Sequence, residues 1–447
     1  MSSPLSAHDR DEEKTVGDAV PSDEKHSRSA SEARSIKEEG LQSSVAPVNP
    51  DPAPDGGFKA WSNVIAAGFS TFATFGYINA WGVFQAYYEK ALPEETASNI
   101  AWIGSLQYAL MFVPGLIIGR IFDMGIVRTP LAGASAFLIM STFLVAECKT
   151  YWQVLLCQGV ATGLSCGIIF SLTLGVVPHW FSKRKGLAFG LVALGSSIGG
   201  TLFPIAARRL IEEVGFPWTM RILAFVMFFA LIWTNIFVAR RLPPKPRSGP
   251  FISFTVFKTP AFAVYCAAGF STFLGLYTVL TYIDVAATYV GIDDDFSFYL
   301  VSIANSGSAF GRVAGGILSD KWGGLNIMIP ATTFAGIITF IWPFVDSKAG
   351  LSMVGFFYGV SSGVFISLLS APIVEMGHLS DIGIRLGMFF TVLALGAVAG
   401  PPISGAINGA TGNYFAVGYY AGSTIFLSVG FLIMTRHLVL HRLWGKA

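Results

Sequence analysis

A charged residue inside an otherwise apolar segment is the first feature of this sequence that could bind a ligand. Arg312 lies in FYLVSIANSGSAFGRVAGGIL, and Asn305 and Ser308 share its face if the segment is helical, because the three fall within about 60° at 100° per residue. A guanidinium presents a planar fork that matches a carboxylate. The stripe therefore predicts a site for an organic anion. The alternative is an arginine that extends to the nearby aqueous face or pairs with Asp320.

One carboxyl group and several amides also fall inside apolar segments. Asp284, in TYIDVAATY, is a candidate for proton coupling, because burial favours the protonated form of a carboxyl group. The alternative is an acid near the outer headgroups that is hydrogen-bonded to Tyr282 or water. Asn79 is interpreted as a further substrate-binding residue, with interhelical hydrogen bonding as the alternative. The same two interpretations apply to the other amides in apolar segments: Gln107, Gln158, Asn235 and Asn408.

A second set of charges lies at the predicted cytoplasmic ends of the helices. These residues are interpreted as a gate, because contacts that break and reform in each cycle must be weak, and exposed ion pairs contribute only about 0–1 kcal/mol. The alternative is solvated loop charge that serves topology, which is our interpretation of Lys183–Lys185. The predicted gate consists of Arg120, Asp123, Asp320, Glu375 and Arg385.

The sequence gives no sign of an enzyme. None of the six histidines has a partner at the spacing of a zinc protease, and no P-loop or nucleophile elbow is present. The four cysteines all lie in apolar segments and indicate neither a disulfide framework nor a metal site. We therefore predict a protein that is not an enzyme and has no cofactor, no bound metal and no nucleic-acid partner.

The elements that position these residues are membrane helices. Hydrophobic residues make up 53% of the 447 residues and charged residues 13%, with a mean hydropathy of +0.60, which excludes an ordinary soluble domain. Apolar runs long enough to cross a hydrocarbon core of about 30 Å recur twelve times. They lie near residues 61–88, 98–119, 129–147, 151–178, 186–208, 217–239, 260–290, 297–318, 325–345, 350–374, 383–407 and 415–435.

Charge distribution sets the predicted orientation and the boundaries. Residues 1–54 hold 11 of the 27 acidic residues and no aromatic residue, which predicts a disordered cytoplasmic tail. With the amino terminus inside, 17 of the remaining 23 basic residues fall on the cytoplasmic side, as the positive-inside rule expects. The predicted organisation is a six-helix half at 55–239, a cytoplasmic linker at 240–259, a second six-helix half at 260–436 and a cytoplasmic tail at 437–447.

The second half repeats the first. AAGFSTF occurs at residues 66–72 and again, unchanged, at 267–273, an offset of 201. At the same offset, RKGLAFGLVALGSSIGG from Arg184 pairs with RLGMFFTVLALGAVAGP from Arg385. Two parallel repeats predict two halves that rock about a site near the bilayer midplane.

Two loops carry a family signature. GILSDKWG, at residues 316–323, resembles the loop signature of the major facilitator superfamily, and GRIFDMG, at residues 119–125, is a second copy that has Met124 where a basic residue is usual. The resemblance implies twelve transmembrane helices in two six-helix halves. It also implies that Asp123 and Asp320 belong to a charge network that holds a cytoplasmic gate closed.

Longer motifs are similar to the monocarboxylate porter family, especially its fungal members: PDGGFKAW, GYINAWGVFQAYYE, NSGSAFGRVAGGILSDKWG and AGPPISGAINGATGNY. The resemblance implies that Arg312 meets a substrate carboxylate. Asn79 and Ser308 stand where mammalian members place the lysine and aspartate that serve proton coupling. A different substrate, or a different route for the proton, is therefore implied.

The predicted function is secondary active transport of a small organic solute, a monocarboxylate or related organic anion, by alternating access, with proton coupling left open. The alternatives are efflux of a secondary metabolite and, from a different class, a membrane nutrient sensor that does not transport. The predicted partners are the substrate, protons, the lipid bilayer and kinases that act on the amino-terminal tail. The plasma membrane is the predicted location, with the vacuole or another internal membrane as the alternative.

Overall fold

The computed structural model describes residues 53–243, 254–440 and 445. The predicted disordered tail falls almost wholly outside these ranges. So do the middle of the predicted linker and more than half of the predicted cytoplasmic tail at 437–447. Within the described ranges the chain forms helices and no strand.

The helices of the first half are labelled α1 to α6 by membrane pass, and an interrupted pass keeps one label. α1 consists of Phe58–Thr71, a π-helical turn at Phe72–Gly76 and Trp81–Ala91; α2 of Ala97–Phe112 and Gly115–Asp123; α3 of Arg128–Val145; α4 of Tyr151–Val154, a π-helical segment at Leu155–Ala161 and Thr162–Trp180; α5 and α6 lie within Lys185–Phe237.

The second half contributes α7 to α12. They are α7, Pro260–Tyr289; α8, Asp294–Trp322; α9, Gly324–Ile341; α10, Lys348–Leu368, followed by the short helix Ala371–Glu375; α11, Ile382–Thr411; and α12, Tyr414–Leu440. Short 3-10 turns occur at Phe254–Lys258, Trp342–Phe344 and Leu379–Asp381.

A single residue separates α5 from α6. Gly215 has a φ of 78° and is the one non-helical position inside Lys185–Phe237. Glycine adopts this conformation without a steric penalty, and Pro217, which has no amide hydrogen, suits the first turn of α6. α5 therefore continues past its predicted end at residue 208 as far as the turn.

Twelve membrane passes follow from these helices. Nine helices in the described ranges are long and apolar enough to cross a bilayer, and Lys185–Phe237 supplies two passes. The remaining passes are α1, which is interrupted, and α8, which carries the polar stripe around Arg312. The all-α fold with twelve transmembrane helices predicted from the sequence is confirmed.

Paired glycines bring the two halves together at one end of the bundle, where α5 packs along α8 and α2 along α11. A Cβ atom at Gly316 would lie 2.6 Å from the carbonyl oxygen of Gly186, and one at Gly119 would lie 2.6 Å from the carbonyl carbon of Gly383. Small residues allow such close backbone approach in a membrane. We call this end, which also carries Asp123 and Asp320, the inner end; the sequence predicts that it is cytoplasmic.

Candidate functional site

A cavity of about 1730 Å³ lies between the two halves. Its walls come mainly from α1, α2, α4 and α5 on one side and from α7, α8, α10 and α11 on the other. The lining extends from Lys90 and Asp294, near the outer helix ends, to Arg312 and Ser367 toward the inner end. The helices meet at the inner end, so the cavity opens toward the outer end of the bundle.

The four predicted substrate-binding residues all line this cavity. Asn79 accepts a hydrogen bond from the Tyr108 hydroxyl (2.9 Å). Asn305 donates one from Nδ2 to the carbonyl oxygen of Gly200 in α5 (3.2 Å). The structure therefore brings together residues from α1 and α8 that are distant in sequence. Their role in binding stays a prediction.

Arg312 joins α8 to α5 from within the cavity. Its Nε donates to Ser308 Oγ (3.1 Å), and its Nη1 donates to the carbonyl oxygen of Ala193 and the hydroxyl of Ser196. The side chain is buried. Among the described residues Nη2 has no hydrogen-bond partner, so this nitrogen remains for a ligand. In this conformation two of the three guanidinium nitrogens already donate to protein atoms, so the group does not present two free nitrogens for a bidentate contact.

Five phenylalanines form an aromatic floor: Phe75, Phe112, Phe170, Phe273 and Phe390. The ring centroids of Phe112 and Phe390 are 5.9 Å apart and nearly parallel, and Phe170 meets Phe390 edge-on at 5.1 Å. Phe390 lies one turn outward from Gly387, which contacts Gly115 of the other half. The floor therefore lies on the inner side of the cavity, beside the contact between α2 and α11.

Composition and helical period do not distinguish these five rings from aromatic residues that only pack. Tyr358 is a packing residue: it is buried, and its hydroxyl donates to the carbonyl oxygen of Leu276. Tyr277, however, lines the cavity and meets Tyr108 at a centroid distance of 5.9 Å. One feature of the sequence could have indicated the floor: Phe273 is the last residue of the second copy of the repeated AAGFSTF.

Asp284 lines the outer part of the cavity. Its carboxylate accepts from the backbone amide of Val285 (2.8 Å), and the side chain is half-buried. Gln107 and Gln158, by contrast, lie inside the first half, where Gln158 accepts from the Tyr88 hydroxyl. Of the amides interpreted as cavity residues, Asn79 is in the lining and these two are packing residues. The role of Asp284 in proton coupling stays a prediction.

Two carboxylates link the halves at the inner end. Asp123, at the end of α2, accepts from the backbone amides of Gly383 and Ile384 in the first turn of α11, both at 3.0 Å. Asp320, near the end of α8, accepts from Gly186 (2.8 Å) and Leu187 (3.0 Å) in the first turn of α5. A helix amino terminus carries unpaired amides and partial positive charge. We call these two sets of hydrogen bonds the inner latches.

The sequence predicted a network of side-chain charges, and the structure places the two aspartates on backbone amides. Lys185 does form an ion pair across the halves, with Glu375, so its interpretation as a solvated loop charge is wrong. Arg385 contacts its own half, through the carbonyl oxygens of Ile373 and His378 and the carboxylate of Asp381 (3.4 Å). Arg120 is buried in α2. The gating roles of these residues stay predictions.

Arg240, where the linker begins, supports one inner latch. Its Nη1 donates to the carbonyl oxygens of Phe122 and Asp123 at the end of α2, the latter at 2.9 Å. Its guanidinium also lies over the Phe122 ring, 5.2 Å from the centroid. Burial lowers the pKa of Arg240, an effect that the Asp123 carboxylate opposes. The linker is therefore attached to the helix end that carries Asp123.

Replacing Gly383 with alanine tests whether close contact at the inner end is needed for transport. A Cβ there would lie 2.8 Å from Asp123 Oδ1, and overpacking of this kind costs roughly 1–3 kcal/mol. We expect transport in vesicles to slow at least tenfold, about 1.4 kcal/mol. Gly430→Ala is the matched control, because nothing lies within 4 Å of its added Cβ. Equal rates for both variants would contradict the expectation.

Comparison with known proteins places the fold. The model of the Major Facilitator Superfamily matches residues 64–378. "MFS-type transporter 1" of Ophiocordyceps sp. is 36% identical over 90% of this chain and 91% of its own length. "Aspyridones efflux protein apdF" of Emericella nidulans is 32% identical over 88% of this chain and 80% of its own length. "Fujikurins efflux protein" of Gibberella fujikuroi is 32% identical over 91% of this chain and 88% of its own length.

A solved structure shares the fold at lower identity. The human organic anion transporter MFSD10 (TETRAN) superposes with a TM-score of 0.67 at 15% identity, over 83% of this chain and 98% of that one. At this identity the similarity supports the arrangement of the helices alone.

Proposed function

The chain belongs to the Major Facilitator Superfamily, and on that premise we propose that this multi-pass membrane transporter exports an organic anion with a large apolar or aromatic body. The anionic group would bind Arg312, and the body would rest on the aromatic floor. Transport would proceed by alternating access, in which the inner latches open as the outer end closes.

The observation that carries the proposal is that a buried cation and an aromatic surface line the same large cavity. About 1730 Å³ exceeds the roughly 300–1,000 Å³ of most small-molecule sites, and a short aliphatic acid would fill little of it. Five phenylalanine rings offer edge and face contacts to an aromatic ligand. A buried arginine needs a partner for its charge, and a carboxylate supplies one.

The relatives support export. Two of them carry names that describe efflux of aspyridones and of fujikurins, which agrees with the efflux alternative. The resemblance to monocarboxylate porters supports a carboxylate as the charged group. Asn79 and Ser308, which replace a lysine and an aspartate of that family, support a substrate other than a short monocarboxylate. In this proposal Asp284 carries the coupled proton, kinases act on the tail and the protein resides in the plasma membrane.

A thermal-shift series tests the substrate class. Purified protein is incubated with aromatic carboxylates of increasing size, with the amide analogue of each and with two- and three-carbon aliphatic acids. A ligand at 100 times its Kd stabilises a fold by about 2.7 kcal/mol, so we expect the aromatic acids alone to raise the Tm. If the neutral amides raised the Tm equally, the substrate would not need a carboxylate, and that part of the proposal would be wrong. Equal stabilisation by the short acids would remove the aromatic body.

A further inference from the structure

Asp55, just before α1, binds the same helix terminus as Asp320. Its Oδ1 accepts from the backbone amides of Ser182 (2.7 Å), Lys183 (2.7 Å) and Arg184 (3.3 Å). Its own amide donates to the carbonyl oxygen of Trp180 (3.1 Å). One carboxylate therefore holds three successive amides of the connection between α4 and α5.

The amino terminus of α5 has no side-chain cap from its own N-cap residue. Arg184 is the N-cap residue of α5 and makes no capping hydrogen bond with its side chain, and arginine is not among the residues that favour this position. Asp320 of the other half accepts from the amides of Gly186 and Leu187. Two carboxylates, one from each half, thus bind five of the six amides from residue 182 to residue 187.

The backbone at Asp55 is also unusual. Its φ is 52°, and among the described residues it is the one non-glycine residue with positive φ. Such a conformation is sparsely populated and persists where surrounding contacts enforce it. The Trp61 ring packs on Phe181, the residue before Ser182, at a centroid distance of 4.8 Å. The PDGGFKAW motif therefore holds this connection at two points.

From these contacts we infer that Asp55 is a positioning residue of the inner latch: it fixes the amino terminus of α5 where Asp320 of the opposite half can bind it. When the inner end opens, Asp320 must leave and Asp55 can stay, because Asp55 belongs to the same half as α5. The terminus then keeps a carboxylate partner in both conformations and is not distorted when Asp320 returns.

The test is a double-mutant cycle in which the measured quantity is the rate of amide hydrogen exchange in α11, away from both mutated residues. The variants of the full chain are Asp55→Gly, Asp320→Ala and the combination; glycine suits the positive φ, so the first change removes the carboxylate without backbone strain. The reporter is the first two turns of α11, residues 382–388, in which Asp123 accepts from the amides of Gly383 and Ile384, and neither amide is bonded to a mutated residue. Exchange there rises when the inner end opens.

We expect Asp55→Gly to speed exchange at residues 382–388 by at least about fivefold, the lower range of coupling between sites. In the Asp320→Ala background the same change should have little further effect, because the partner it positions is gone. Asp55→Glu should restore part of the protection. Ser347→Ala, which removes the N-cap of α10 at the outer end (3.1 Å to Gly350), controls for loss of a cap and should leave the reporter unchanged.

The inference rests on the alternating-access part of the proposed function, and the cycle separates the two. Equal effects of Asp55→Gly with and without Asp320 would overturn the positioning role, while a large effect of Asp320→Ala alone would still support alternating access. An unchanged reporter in both single variants would overturn the positioning role and the inner latches together.

Discussion

Arg312→Lys is expected to lower affinity for an aromatic carboxylate at least tenfold, about 1.4 kcal/mol, with expression and Tm close to those of the parent. The lysine keeps the charge but has one nitrogen in place of three, and it cannot contact Ser308, α5 and a ligand together. Isothermal titration with the tightest ligand of the thermal-shift series gives the affinity directly.

Two comparisons distinguish binding from structure in this experiment. Ser196→Ala removes one acceptor of Arg312 and leaves the guanidinium, so we expect a small change in affinity. Arg312→Gln removes the charge and is expected to weaken binding more than lysine does. Unchanged affinity in Arg312→Lys would mean that the arginine serves only to join α8 to α5 and does not bind the substrate.

Neutralising the two inner latches is expected to produce the largest conformational effect. In Asp123→Asn and Asp320→Asn each side chain loses its charge, and a donor NH2 group replaces one of the two carboxylate oxygens, each of which accepts from one backbone amide. Hydrogen bonds to charged groups contribute about 1.5–3 kcal/mol each, so each variant should shift the outward-to-inward ratio at least tenfold toward the inward-open conformation. The double variant should shift it further.

The populations can be measured with spin labels at residues 129 and 379, on opposite halves at the inner end, in a background without the four native cysteines. A growing long-distance population is the expected signal. Asp346→Asn, an exposed carboxylate at the outer end, should leave the distance distribution unchanged. A distribution that stays short in both latch variants would show that the inner end is closed by the glycine contacts and not by the carboxylates.

The fold was predictable because lipid constrains sequence strongly. Long apolar runs, basic loops on one side and the repeat at offset 201 determine the number of helices. The stripe around Arg312 was also readable, because three polar side chains on one helical face must point toward something other than lipid. The hydrogen bond from Asn305 to Gly200 was not predictable, because the helical period specifies which face of α8 is polar but not which helix packs against that face.

The inner end shows the limit of such reasoning more clearly. Asp123 and Asp320 stand out in the sequence as charges, but they accept hydrogen bonds from backbone amides, which no side-chain pattern reveals. Lys185 resembled its solvated neighbours until the fold brought Glu375 beside it. Asp55 lies in the PDGGFKAW motif, and its hydrogen bonds depend on a turn that the sequence letters do not specify.

The one-residue turn at Gly215 has a consequence for biogenesis. The stretch just before it carries Arg208, Arg209, Glu212 and Glu213, and no soluble loop separates these charges from the following helix. During membrane insertion, therefore, no loop outside the two helices separates α5 from α6 on the far side of the bilayer. α5 and α6 must enter the membrane as one hairpin, and the four charges, which sum to zero, cross with it.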